Sequence, residues 1–388
     1  MRTTSVAPST LLSSVEPDCR NTLIHISSIP LNRADAKNGT IMSQPGIGEH
    51  SPLTFKRSSF EDDAAPSKPS STSSSRSSIK TFLRVPRLIW DFTESNFSTF
   101  VVPNTAFGVL GGLTGQPLTS GQATALAVLQ RFPLVVAFNW YSVLIFDLAN
   151  QRSSESVAED LANKPWRPIP AGKVTQEQTR RSMLVAIPAV LVFNYVLGVW
   201  REGVFILILT WLYNDLQGGD TLLRDAIIAV AYFLFNTASL KIAIGEGTDG
   251  GSSSSSSSAV GITREGYVWA GIISAVILTT MQVQDLKDQA GDAGRGRETM
   301  PLFFGDGASR ASLAVLVPLW SCVCVYFWRM ASWGVLPPVV SGALVVVGVL
   351  RTRTPETDAR AWRLWCLWTV CLYSLPLVGD GFVSSGHV

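Results

Sequence analysis

From about residue 97 the chain runs as a series of apolar stretches parted by short polar connections. They lie near 97–116, 122–148, 182–199, 201–214, 223–244, 265–284, 310–329, 333–350 and 361–379, the third and fourth being short and closely joined. A helix needs about 20 predominantly apolar residues to cross a bilayer. The pattern predicts an all-α polytopic membrane protein of about nine transmembrane helices, over residues 95–380. Residues 1–80 show no such pattern. They are rich in Ser, Thr and Pro and end in "SKPSSTSSSRSSIK", a composition that cannot bury a core, so a disordered tail is expected. "GEGTDGGSSSSSSSAVG", between the fifth and sixth runs, reads as a flexible hydrophilic loop.

Composition strengthens the membrane reading. The 388 residues are 46% hydrophobic and 15% charged, against about 25% charged in soluble domains. No basic run points to nucleic acid, and nothing identifies a protein partner. Cys322, Cys324, Cys366 and Cys371 lie inside apolar runs without CxxC spacing, so they read as small buried hydrophobes. His25, His50 and His387 all fall outside the membrane body. That argues against a His-ligated metal or haem and against a Ser-His-Asp mechanism.

Charge sets the orientation. The connections after runs two, four, six and eight carry most of the Lys and Arg, and Arg201 and Arg329 are the clear exceptions on the other side. The positive-inside rule therefore puts these loops in the cytosol with the tail. The tail has no secretory h-region. Its Glu16, Asp18, Asp35 and Glu49 make it a poor mitochondrial presequence, so the endoplasmic reticulum is the expected membrane.

Two of the cytosolic loops combine carboxylates with cations. "FDLANQRSSESVAEDLANKPWRPIPAGKVT" supplies Asp147, Asn150, Glu155, Glu159, Asp160, Lys164 and Arg167. "VQDLKDQAGDAGRGRETMPLFFGD" supplies Asp285, Asp288, Asp292, Lys287, Arg295 and Arg297. If the sixth helix continues, its three aspartates share one face. Facing carboxylate sets repel unless cations join them. Mg²⁺ suits the role, because it takes a few carboxylates together with substrate phosphates. Lys and Arg then hold the remaining phosphate oxygens. A ligand with a diphosphate head and an apolar tail fits, and an isoprenyl diphosphate has that shape. The bland alternative is interfacial anchoring of helix ends. Asp147, one turn before Asn150, suits either a site residue or a helix cap. Tyr213, at the end of the fourth run, suits either diphosphate contact or capping.

"DLKDQAGDAGRGRETMPLFFG" resembles the second aspartate-rich motif of the UbiA superfamily of intramembrane prenyltransferases, and "NKPWRPIPAG" the end of its first. The resemblance implies helices around a central cavity and Mg²⁺-dependent ionisation of an isoprenyl diphosphate. By that resemblance Asn150, Glu155, Glu159, Asp285, Asp288 and Asp292 are the metal-holding and catalytic set. Lys164 and Arg167 are its basic partners. The glutamates stand one residue later than the family's usual aspartates, Gln151 replaces an aspartate, and Asp160 is an alternative to Glu159. "FDLANQ" with "EDLANKPWRPIPAG" is similar to a fungal branch that includes bergamotene-type sesquiterpene cyclases, which implies farnesyl diphosphate and cyclisation. Transfer of the prenyl group to an aromatic or other small acceptor is the alternative. A non-catalytic lipid binder or transporter is a second one, disfavoured because the runs are nearly free of ionisable residues at mid-depth, Arg131 and Lys241 being the conspicuous exceptions, and the charge gathers at one face. Phe138, Trp140, Tyr141, Phe146, Trp211, Tyr213, Tyr232, Phe233 and Phe235 are candidate cavity aromatics.

Overall fold

The computed structural model describes residues 73–247, 260–330, 332–351 and 353–379. The tail up to residue 72 and the Ser-rich loop at 248–259 lie outside the described residues. Helix α1 (Ser73–Asn96) passes through one π-helical turn (Phe97–Val101) into α2 (Val102–Thr114). Then come α3 (Ala125–Gln151), α4 (Ser154–Asn163), α5 (Gln176–Val196), α6 (Trp200–Asn214), α7 (Arg224–Ile244) and α8 (Arg264–Thr280). A 3₁₀ segment (Met281–Lys287) joins α8 to α9 (Gln289–Arg295). The chain continues through α10 (Met300–Phe303), α11 (Asp306–Phe327), α12 (Leu336–Leu350), α13 (Pro355–Tyr373) and α14 (Leu375–Val378).

Each of the nine predicted runs falls on a helix. Among the described residues six segments are long and apolar enough to cross a membrane: Ala125–Gln151, Arg224–Ile244, Arg264–Lys287, Asp306–Phe327, Trp333–Leu350 and Pro355–Val378. Helices α2 and α6 are shorter, with 13 and 15 residues. Helix α5 opens on a charged turn carrying Glu177, Arg180 and Arg181. The starts follow local chemistry. Thr124 caps α3, Ser153 caps α4 and Thr263 caps α8, each accepting a backbone N–H from its own first turn. Thr175 with Gln178, and Thr354 with Thr357, close reciprocal capping boxes on α5 and α13.

Helix α7 is central and packs against α2, α3, α6 and α8. Its crossing with α2 is close: a Cβ on Gly108 would lie 2.5 Å from the Ser239 backbone carbon. Small residues permit such approaches between membrane helices. The core includes Trp269, Trp328, Trp365 and Trp368, all essentially inaccessible. Leu184, Val185, Tyr195 and Tyr326 point outward, the surface that a bilayer covers. The short helices α4 and α9 pack on each other. They bring the two acidic loops together at one end of the bundle, although four of the predicted crossings separate them in sequence.

Candidate active site

Between those loops and the bundle lies a cavity of about 240 Å³. Its polar end is lined by Lys164, Arg167, Arg224, Lys287 and Arg297, with Asn150, Glu159, Gln284 and Asp288. Its other wall is apolar, with Phe100, Val143, Phe146, Ile206, Ile227 and Phe235 among its residues.

The second motif does not continue as an α-helix. Residues 281–287 tighten to 3₁₀, where positions three apart eclipse. Met281, Gln284 and Lys287 therefore line the cavity together. Asp285, one residue off that row, is buried and forms a close ion pair with Arg224. Asp288 lines the cavity, pairs closely with Lys287 and lies 3.9 Å from Lys164. Asp292 is buried and takes Arg297 at 2.8 Å. Lys287 also sits 4.8 Å over the Trp362 ring, a cation–π contact at the cavity wall. The three aspartates are thus brought to one region, each against its own cation, with only Asp288 at the cavity surface.

The first motif divides. Asn150 lines the cavity and donates from Nδ2 to Asn214 Oδ1 at 3.0 Å. Glu159 lines it too and accepts from Arg297 at 3.2 Å and Arg295 at 3.4 Å. Glu155 is exposed, accepts from Ser154 Oγ and is not brought to the cavity. The two glutamates share a face of α4, but only Glu159, one turn further along, reaches the cavity and its arginines. Asp160 is committed to Arg167, whose Nη1 donates to both its oxygens at 2.9 Å. Arg167 reaches on to Ser95 Oγ at 3.2 Å. Asp147 is buried within α3, where its Oδ1 accepts from Asn96 at 2.6 Å.

Arg295 is absent from the cavity wall. It straps the loops instead, contacting Ser156 at 2.5 Å, Glu159 and Asp220. Arg297 does both, reaching Asp220 at 2.9 Å while lining the cavity. Tyr213 lines the cavity and accepts from Arg224 Nε at 3.1 Å.

Electrostatics follow from this crowding. Burial, then the neighbouring Arg167, pushes Lys164 down to about 8. Burial works to raise Asp288, but Lys164 and Lys287 outweigh it and hold the carboxyl below its ordinary value. Burial raises Asp292 even against Arg297. The donor set suits a hard divalent ion, because Oδ2 of Asp285 and Oδ2 of Asp292 are buried without a hydrogen-bond partner. Among the described residues no group of three or more carboxylate, imidazole or thiol side chains forms a cage by itself. An ion here would complete its shell with oxygens from a ligand or water.

Several lining residues carry no motif: Ser95, Asn96, Phe100, Gln284, Trp362 and above all Arg224. Arg224 opens α7, where a cation runs against the helix dipole. That local mismatch is the one sign of it in the sequence. Of the candidate aromatics, Phe146, Tyr213 and Phe235 line the cavity. Phe138 backs Phe235 at 5.8 Å, Tyr232 backs Phe100 at 4.7 Å, and Trp211 faces outward.

A helical bundle whose amphipathic cavity is lined by five cations and by aromatic side chains defines an integral membrane protein with a site shaped for an amphiphile. The chain belongs to the UbiA prenyltransferase family, whose profile matches residues 145–370. It is 28% identical over 312 residues to a diterpene cyclase of Hericium erinaceus, covering 76% of this chain and 88% of that one. It is 30% identical over 296 residues to a polyprenyl transferase of the same fungus, covering 72% and 89%. To the fumagillin beta-trans-bergamotene synthase of Aspergillus fumigatus it is 24% identical over 271 residues, covering 66% and 84%. The chain is accordingly an enzyme of the UbiA type, a terpene cyclase or a prenyltransferase.

Proposed function

We propose that this enzyme ionises farnesyl diphosphate and cyclises the freed chain to a sesquiterpene. The observation that carries the reading is the single cavity with five cationic side chains at one end and an apolar, aromatic wall at the other. Arg167, Arg224, Lys164, Lys287 and Arg297 take the diphosphate oxygens by charge-assisted hydrogen bonds. Tyr213 orients Arg224 through its hydroxyl. Asn150, Glu159, Asp285, Asp288 and Asp292 are the residues that hold Mg²⁺. When bound, that ion neutralises charge on the departing diphosphate. The carbon–oxygen bond breaks with its electron pair leaving on diphosphate. A double bond of the same chain then attacks the allylic cation, and loss of a proton yields a C15 hydrocarbon. Phe100, Phe146 and Phe235 stabilise the cation with their ring faces and keep water from quenching it. The motif loops face the cytosol, in the endoplasmic reticulum membrane.

Transfer to an aromatic or other small acceptor is the second reading, supported by the 30% identity to a polyprenyl transferase. Microsomes carrying the enzyme, given farnesyl diphosphate and Mg²⁺ without acceptor, separate the two by gas chromatography–mass spectrometry. A cyclic C15 hydrocarbon that disappears with EDTA is the expected result. No hydrocarbon, with a prenylated product once a phenolic acceptor is added, makes the enzyme a transferase.

A further inference from the structure

We propose that Asn214 is a positioning residue that turns the amide oxygen of Asn150 toward the cavity. The inference rests on the reading of Asn150 as a cation-holding residue.

Two hydrogen bonds in series fix the geometry. The Thr210 carbonyl oxygen can only accept, so the Asn214 atom that meets it at 2.9 Å is Nδ2. Asn214 Oδ1 is thereby turned off its own helix, toward α3. There it meets Asn150 at 3.0 Å, and only Nδ2 of Asn150 can donate to it. Flipping the Asn150 amide would set two oxygens face to face at that distance. Oδ1 of Asn150 is left free for the cavity, which Asn150 lines and Asn214 does not. A hard divalent ion needs the oxygen, not the amide nitrogen. The carbonyl of α6 thus dictates, through one intervening side chain, which end of the Asn150 amide the cavity receives.

The seam between the two helices has a separate fastening. Arg152, the residue after α3, pairs closely with Asp215, the residue after α6. Removing the Asn214 side chain therefore leaves the helix ends joined. What is lost is the orientation of one amide, and loss of such an outer partner costs about 10–100-fold in metal affinity.

The test uses the purified full-length enzyme in detergent with Mn²⁺ and inorganic diphosphate, reading bound Mn²⁺ from loss of the free-ion electron paramagnetic resonance signal. Asn150→Ala, Asn214→Leu and the double variant are compared. The expected result is an affinity about tenfold or more weaker in each single variant, with the double variant no weaker than Asn150→Ala alone. Melting temperatures stay near that of the parent enzyme. Where Asn214→Leu melts early, Asn214→Ala carries the same comparison. A weakened Asn150→Ala beside an unchanged or fully additive Asn214 variant overturns the positioning role and leaves the proposed site standing. An Asn150→Ala enzyme that binds Mn²⁺ like the parent removes Asn150 from the cation-holding set, and this inference with it.

Discussion

Two buried arginines show how differently the same chemistry can be used. Arg310, on α11, donates from Nε to Asp306 at 2.8 Å and bidentately to Asp358 of α13 at 2.8 Å. It adds the Val349 carbonyl of α12 at 2.8 Å. Three helices are pinned, and among the described residues neither Arg310 nor Asp358 has a buried polar atom without a partner. Arg224 is also buried but faces a surplus of acceptors. It pairs with Asp285 and lies 3.8 Å from Asp225 Oδ1, yet Asp285 Oδ2, Asp225 Oδ1 and Asp292 Oδ2 stay buried without a hydrogen bond. A buried acceptor without a donor costs about 1–3 kcal/mol. The Arg310 cluster closes its own account of donors and acceptors and is structural. The Arg224 cluster does not, and it borders a cavity that can bring a ligand to it.

The comparison breaks at its strongest point if the Arg224 side is also merely structural. Asp288→Ala should lower turnover about a thousandfold or more, roughly 4 kcal/mol of barrier, with the melting temperature unchanged. Product formation by gas chromatography–mass spectrometry, alongside a thermal melt, checks it; a folded variant with near-normal turnover would contradict the site.

The Arg310 side predicts the opposite pattern. Arg310→Met strands the Asp358 carboxylate and should cost about 3–5 kcal/mol of stability. The surviving molecules should keep their KM for the proposed substrate, farnesyl diphosphate. Arg310→Met combined with Asp358→Leu should recover much of the loss, and a raised KM in either variant would tie this cluster to the substrate.

Arg167 lies between the two cases, since its Nη1 is held by both Asp160 oxygens while its Nε stays buried without a hydrogen bond and the side chain lines the cavity. Arg167→Ala should raise KM for the diphosphate substrate about tenfold or more, the worth of a charged hydrogen bond of ~1.5–3 kcal/mol. Unaltered steady-state kinetics would place Arg167 with Arg310 as an anchor. The smallest effect is expected at the far wall. Phe235→Leu removes a ring face worth about 0.5–2 kcal/mol to a passing cation. Turnover should fall modestly while the hydrocarbon profile changes, and an identical profile would take Phe235 out of cation handling.

Much of this organisation was legible before any coordinates. Each of the nine apolar runs is helical, because run length and hydrophobicity are properties of contiguous residues. The two charged loops do meet, as the alternation of Lys and Arg among the connections implied. What was not legible is which side chains reach the cavity. The three aspartates were expected on one helical face, but the tightening of 281–287 to 3₁₀ turns Asp285 inward to Arg224 and leaves the row of Met281, Gln284 and Lys287 at the wall. Glu155 and Glu159 looked equivalent by spacing, yet only Glu159 faces Arg295 and Arg297. Arg295 looked like a phosphate binder and is a strap to Glu159 and Asp220.

The sequence by itself determined the membrane class, the positions of the helices and the inventory of carboxylates and cations, since hydropathy, capping and loop charge act over neighbouring residues. Only the tertiary structure decided the pairing of Asp285 with Arg224 and of Glu159 with Arg295, and the orientation of Asn150. Those depend on distances between residues some 60 to 140 apart in the chain, and through-space electrostatics leaves no period in the sequence from which to read them.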